Sequence, residues 1–142
     1  MDLFRSYAHH DKNARLKKAG KIIKIISKYK DMGISKILDI GCGSGYLDSI
    51  LSKQAGLYAG VDFVDERKAK DFSFLASSAL CLPFKNSSFD IVICNHVIEH
   101  VPEQDKVLDE INRVLKKDGI CYITSPNKLW PMEPHLKLPF LS

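Results

Sequence analysis

What the chain leaves out narrows the field before any motif is read. No apolar run approaches the ~20 residues needed to span a bilayer. The N-terminus carries no apolar signal-peptide core, so the expected location is the cytoplasm. The four cysteines, Cys42, Cys81, Cys94 and Cys121, include no CxxC pair, which argues against a zinc knuckle or a disulfide frame. They are expected as reduced, buried thiols. Acidic residues are missing from one stretch: between Lys12 and Lys30 every charged residue is basic, although the net charge is only +4. With 142 residues, residues 1–142 are expected to form a single domain, since two of ordinary size would not fit.

Within that basic stretch, residues from about Asp11 to Asp31 have helical periodicity. Ile22, Ile25 or Ile26, and Tyr29 share a face, and Gly33 is placed to end the helix. Lys12, Arg15, Lys17, Lys18, Lys21, Lys24, Lys28 and Lys30 ring the other faces. A basic helix can meet nucleic acid or an anionic membrane surface. The apolar stripe favours a helix docked on a sheet with a solvated basic face, so nucleic acid is not an expected partner. Residues 1–10, with Leu3, Phe4 and Tyr7, read as an N-terminal arm folding over a ligand mouth.

A further absence decides what the glycine-rich turn can be. Lys36-Ile37-Leu38-Asp39-Ile40-Gly41-Cys42-Gly43-Ser44-Gly45-Tyr46-Leu47 is a short apolar strand running into alternate glycines and then a helix. Such a turn brings bare backbone and a helix N-terminus up to a ligand. A dinucleotide fingerprint needs a third glycine three residues after Gly43, where Tyr46 stands, so a nicotinamide oxidoreductase is disfavoured. The acid Asp39, two residues before the first glycine, suits a cationic ligand better than a pyrophosphate.

Downstream, Tyr46 to Gln54 is a short helix, and Leu57 to Val61 is a strand that stops at Asp62. An acid there, roughly twenty residues past the glycine turn, can accept hydrogen bonds from both hydroxyls of a ribose. Val64 to Lys70 leaves room for one or two helical turns before a third strand, Phe72 to Leu75. Phe89 to Cys94 is apolar throughout, as a central parallel strand needs. Pro102 opens a helix whose stripe is Val107, Leu108, Ile111, Val114 and Leu115; Lys116 and Lys117 suit its C-terminus, Gly119 its end, and Ile120 to Thr124 a fifth strand. His96-Val97-Ile98-Glu99-His100 spells HxxEH, an inverted zinc-protease pattern, but Pro102 restricts the helix that such a metal site needs.

The glycine turn with Asp39, the run Gly60-Val61-Asp62-Phe63, the stretch Ser77 to Phe84 ending in Leu-Pro-Phe, and FDIVICNHVIEHV followed by VLKKDGICYITSPN together resemble class I S-adenosylmethionine-dependent methyltransferases. The match is to the small-molecule, ubiquinone/menaquinone methylase-like type. The resemblance covers residues 20–127. It implies S-adenosylmethionine as cofactor, with Asp39 facing its amino group, Gly41, Cys42, Gly43 and Gly45 cradling its methionine part, and Asp62 and Phe63 at its ribose. Ser78, Ala79 and Leu80 would read the adenine edge, Ser78 standing where the family has an acid, which predicts weaker cofactor binding. Asn95 and His96 would line the pocket at the end of the fourth strand.

The fold implied is a Rossmann-like, open, mostly parallel sheet with helices on both faces and strand order 3-2-1-4-5. The family's last two strands are missing, which would leave strand five an edge: either the chain is a fragment of a longer protein, or a protein partner or second copy covers that edge, or the chain is a shortened variant. The activity implied is methyl transfer to a small-molecule acceptor through an oxygen, nitrogen or carbon nucleophile; a catalytically silent cofactor- or partner-binding module is the alternative. No catalytic residue is identified. Residues 128–142 read as an irregular tail, with Trp130 as an anchor and Asn127 or His135 facing the acceptor.

Overall fold

The computed structural model describes residues 2–125, with side chains placed from residue 12 onward. Its centre is a five-stranded parallel sheet in the order β3-β2-β1-β4-β5. The strands are β1 (Lys36–Ile40), β2 (Leu57–Asp62), β3 (Ser73–Ala76), β4 (Phe89–Asn95) and β5 (Leu115–Thr124). Three helices, α1 (Asp2–Ile26), α2 (Tyr46–Leu51) and α3 (Gln104–Val114), are divided between its faces. Among the described residues no helix is long and apolar enough to cross a membrane.

Strand alternation divides the core in two. Leu38, Ile40, Val61, Val92 and Cys94 turn toward α3 and meet Val107, Ile111 and Val114. Ile37, Tyr58, Ile91 and Ile93 turn the other way and meet Ala19, Ile22 and Ile26 of α1 and Leu51 of α2. Both faces of β1 and β4 are covered, which is why their sequences show no polar alternation. Asp39 lies between Leu38 and Ile40, so it falls on the α1/α2 side.

Several expectations are corrected. Residues 2–10 continue α1 instead of forming an arm, because no glycine or proline interrupts the chain before Gly20. The same helix stops at Ile26, so Tyr29 is 72% exposed in the turn beyond it and Ile25 is also exposed. The segment 64–70 contains no helix. Arg67 instead grips Asp65 through Nε and Nη2 at 2.9 and 3.0 Å and the Phe72 carbonyl at 3.2 Å, and lies over the Phe74 ring. The backbone N–H groups of Lys68 and Ala69 donate to the Ser44 carbonyl, tying the crossover onto the glycine turn.

At the other end of the sheet, α3 stops at Val114 and the chain turns extended at Leu115, so Leu115, Lys116 and Lys117 belong to β5. Lys116 Nζ reaches Asp90 Oδ1 at 2.8 Å, and the pairing with β4 shifts register between Phe89 and Ile91. Gly119 serves that irregularity, since a Cβ there would lie 2.8 Å from Leu115 Cδ2 and 2.9 Å from the Lys116 carbonyl. Leu108 is largely exposed, outside the buried stripe of α3. Of the cysteines, Cys42 and Cys94 are buried and Cys81 and Cys121 exposed, all four free. β5 is an edge strand among the described residues. Asn127, Trp130, His135 and the tail 128–142 lie outside the described residues.

Candidate functional site

The carboxyl ends of β1, β2 and β4 open into a cleft of about 400 Å3. That volume suits a nucleoside-sized ligand. Its walls are Ile40 and Gly41 from β1, Val61, Asp62 and Phe63 from β2, the turn Ser77 to Leu80 after β3, and His96, Val97, His100 and Val101 after β4. Seven residues expected from the sequence therefore line it: Gly41, Asp62, Phe63, Ser78, Ala79, Leu80 and His96.

Asp62 is the hub of one wall. Its Oδ2 accepts from the Gly43 N–H at 2.8 Å and its Oδ1 from the Phe63 N–H at 2.7 Å. Gly41 N–H and Cys42 N–H donate to the Val61 carbonyl at 2.8 and 3.2 Å, so the glycine turn is stitched to the end of β2. Gly41 has φ +83°, and a Cβ on it would lie 2.1 Å from Val97 Cγ2. Gly43, at φ +49°, has open space where a side chain would stand, leaving its backbone accessible to a ligand.

The adenine-edge candidates form a turn closed on itself, with Ser78 Oγ accepting from the Leu80 N–H at 3.1 Å. That turn is held from behind by two residues the sequence reading passed over. Glu110 Oε2 accepts from the Leu82 N–H at 2.6 Å, while Arg113 Nη2 and Nη1 donate to the carbonyls of Leu82 and Phe84 at 2.9 and 2.7 Å. Arg113 also pairs with Glu110 at 2.6 Å, which holds the Glu110 carboxyl below its ordinary range. An i, i+3 Glu–Arg pair on α3 was visible in the sequence, yet only the fold shows what it grips.

Five expected residues stand off the cleft wall. Cys42 is buried beneath the turn, and burial, with Asp48 and Asp39 nearby, pushes its thiol up to about 12. Gly43 borders the lining, its N–H bonded to Asp62 with open space beside its Cα, and Gly45 packs under Ala69 and Phe72. Asn95 turns to β5, its Oδ1 accepting from Thr124 Oγ1 at 2.8 Å. Asp39 is 97% buried on the α2 side, close to Asp48, whose Oδ1 accepts from the Tyr58 hydroxyl at 3.1 Å. Burial first, and Asp48 second, raise the Asp39 carboxyl well above its ordinary range. Asp39 Oδ1 has no protein partner.

On the opposite wall, His96 adopts φ +59°, in the left-handed region where histidine, asparagine and aspartate are the commonest residues after glycine. Its Nδ1 lies 3.3 Å from Glu99 Oε1, and His100 Nε2 lies 3.9 Å from the same atom. The two histidines are not on one helix: only the single turn Ile98–His100 is helical, of 3-10 type. Among the described residues no three His, Cys, Asp or Glu groups are placed to hold a metal ion.

S-adenosylmethionine can be tested against these residues. A bare-backbone cradle at Gly43, a carboxylate at the end of β2, apolar surface at Phe63, Ala79 and Leu80, and an orphaned buried oxygen on Asp39 beneath the turn all suit a cationic nucleoside. The residues fit.

Comparison with known proteins agrees. Residues 38–123 match the family model described as a methyltransferase domain. The chain is 34% identical over 130 residues to a demethylmenaquinone methyltransferase of Lactobacillus johnsonii, covering 81% of this chain and 52% of that protein. The crystal structure of YcgJ from Bacillus subtilis superposes with a TM-score of 0.66 at 28% identity, covering 75% of this chain and 49% of that one. A putative sarcosine dimethylglycine methyltransferase from Galdieria sulphuraria, at 22% identity and a TM-score of 0.70, shares the fold over 78% of this chain and 47% of its own. The chain thus spans about half the length of the relatives it matches. It belongs to the class I methyltransferase family, whose cofactor is S-adenosylmethionine.

Proposed function

We propose that this chain carries the cofactor-binding half of a methyltransferase acting on a small-molecule acceptor. The observation that supports this most is Asp62, whose carboxylate sits on the cleft wall, fixed by the Gly43 and Phe63 N–H groups. A carboxylate held by two backbone donors keeps lone pairs free for the two hydroxyls of a ribose, and does so without reorganising. Phe63, Ala79 and Leu80 would flank the base, and the turn at Gly43 would take the amino-acid part.

When bound, S-adenosylmethionine supplies an electrophilic methyl group on a positively charged sulfur. The chain's own contribution is to hold that group in a preorganised, partly dry cleft and to position the acceptor against it. The unpartnered Asp39 Oδ1 would take a donor from the amino group.

S-adenosylhomocysteine at a hundred times its Kd should stabilise the fold by about 2.7 kcal/mol, seen as a raised Tm. NAD should give no shift, and Asp62→Ala should abolish the shift with S-adenosylhomocysteine. A shift with NAD alone would transfer the chain to the oxidoreductases. The second reading is a catalytically silent cofactor-binding module that meets a partner along β5, supported by the half-length match and by the open β5 edge among the described residues. Cofactor binding without turnover, together with a stable complex in sizing chromatography, would favour it.

A further inference from the structure

We propose that the outward side of α1 docks on an anionic membrane surface. This side lies apart from the cleft, and its use does not depend on the methyltransferase reading.

The charge of the chain is sharply divided. Eight basic and no acidic residues fall from Lys12 to Lys30, while the rest of the chain has thirteen basic against seventeen acidic residues. One element is strongly positive and the remainder is net negative. An anionic surface turns such a polarised molecule one way round.

Helical geometry gathers that charge into a row. Ala19, Ile22 and Ile26 are buried against the sheet, which fixes the rotation of α1 about its axis. Lys17, Lys21 and Lys24 then fall on the opposite side, and Lys28 follows in the hydrogen-bonded turn beyond Ile26, at steps of four, three and four residues. All four are exposed, and at the helical rise the row is about 16 Å long. Among the described residues none of the four has an acidic partner, whereas Lys30 pairs with Asp118 at 2.7 Å. Asp48, the acid of the neighbouring α2, is buried.

A row of cations suits an array of anionic groups, which either a nucleic-acid backbone or a headgroup layer offers. Two features favour the headgroup layer. The row is lysine throughout, with no arginine fork to take a phosphate or a base edge bidentately; Arg15 instead lies 4.0 Å over the Tyr46 ring. Ile25, one turn from both Lys21 and Lys28, is 42% exposed and shares an apolar groove with Tyr29, Ile120 and Tyr122. An aliphatic side chain beside the lysines gains nothing from a phosphate backbone. It gains from the boundary between headgroups and acyl chains, where tyrosine is also favoured. Because the buried stripe of α1 is occupied by the sheet, the contact is adsorption by the charged side, without insertion of the helix.

Arg15 over Tyr46 places the start of the row beside the glycine turn, and Lys30 on Asp118 places its end beside the first half of β5. A membrane lying on the row therefore runs along the strands. The cleft mouth then opens at the edge of the contact, beside the headgroups.

The test is co-sedimentation of the full chain with phosphatidylcholine vesicles containing about a third phosphatidylglycerol, with pure phosphatidylcholine vesicles and a DNA duplex as comparisons at matched salt. Wild type should bind the anionic vesicles at low salt, leave them at high salt and ignore the neutral ones. Each lysine near an anionic surface raises affinity about fivefold, so Lys17→Gln, Lys21→Gln, Lys24→Gln and Lys28→Gln together should weaken binding by roughly two to three orders of magnitude. Lys53→Gln, Lys70→Gln, Lys85→Gln and Lys117→Gln remove the same charge from exposed positions elsewhere, and together should weaken it only several-fold. Glutamine matches lysine in helix propensity, and cooperative thermal unfolding checks that both variants fold. No binding of wild type to the anionic vesicles, an equal loss in the two variants, or a DNA duplex held more tightly than the vesicles through the same four lysines, overturns the proposal.

Discussion

The two walls of the cleft differ in how far their hydrogen bonds are already spent. On the β1–β2 wall, Asp62 is occupied by Gly43 and Phe63, and the Val61 carbonyl by Gly41 and Cys42. On the β4 wall, Glu99 leaves an oxygen unpaired and His96 turns the chain in the left-handed region. A satisfied wall gives a fixed shape to bind against. A wall with unspent groups retains chemistry that a reacting molecule can use, at some cost to stability.

The sharpest way to break the contrast is to join the walls where they touch. Gly41→Ala places a methyl 2.1 Å from Val97 Cγ2 in a backbone with φ +83°. The expected loss is about 3 kcal/mol in chemical denaturation, with disturbance at both walls. A loss under 1 kcal/mol would mean that the turn and the β4 wall move independently.

A smaller effect is expected from the back of the adenine-edge turn. Arg113→Ala removes donors to the Leu82 and Phe84 carbonyls and frees Glu110. Tm should fall by several degrees and S-adenosylhomocysteine affinity should weaken several-fold, read by scanning and titration calorimetry. Unchanged affinity would show that the turn keeps its shape without α3.

The smallest effect is a gain. Asp39 and Asp48 both have raised carboxyl pKa values, chiefly from burial. As pH rises above the ordinary carboxylate value of 3.8, the unfolded chain releases these protons while the folded chain keeps them. The folded state then binds more protons, so the pair costs stability increasingly as pH climbs toward the folded pKa values. Asp48→Asn keeps a partner for Asp39 and removes one buried carboxyl. Its Tm should exceed that of wild type by roughly 4 °C at neutral pH and converge with it near pH 4. A variant less stable than wild type at neutral pH would show that the pair is not strained.

Much of this architecture was legible. The periods of β1, β4 and α3, the glycine turn and Asp62 all announce themselves because each depends on neighbours close in the chain. Where reading failed, the deciding contact was a particular side-chain bond or cross-strand pairing that propensity does not encode. Nothing in residues 64–70 says that Arg67 will clamp Asp65 and Phe72 in place of a helical turn, and Gly119 resembles a helix stop until the register shift against β4 explains it.

The sequence by itself determined the strands, the position of the bare turn and the acid at the end of β2, because local propensity, alternation and turn chemistry act over a few residues; the strand order was implied by the family resemblance. Only the tertiary structure decided which groups face one another. Asp39 went to the α2 side because a strand alternates, Glu110 and Arg113 reach 28 to 31 residues back to hold a loop, and Glu99 meets His96 because the chain turns sharply past β4. Such encounters depend on packing across the whole sheet, which no short window of residues contains.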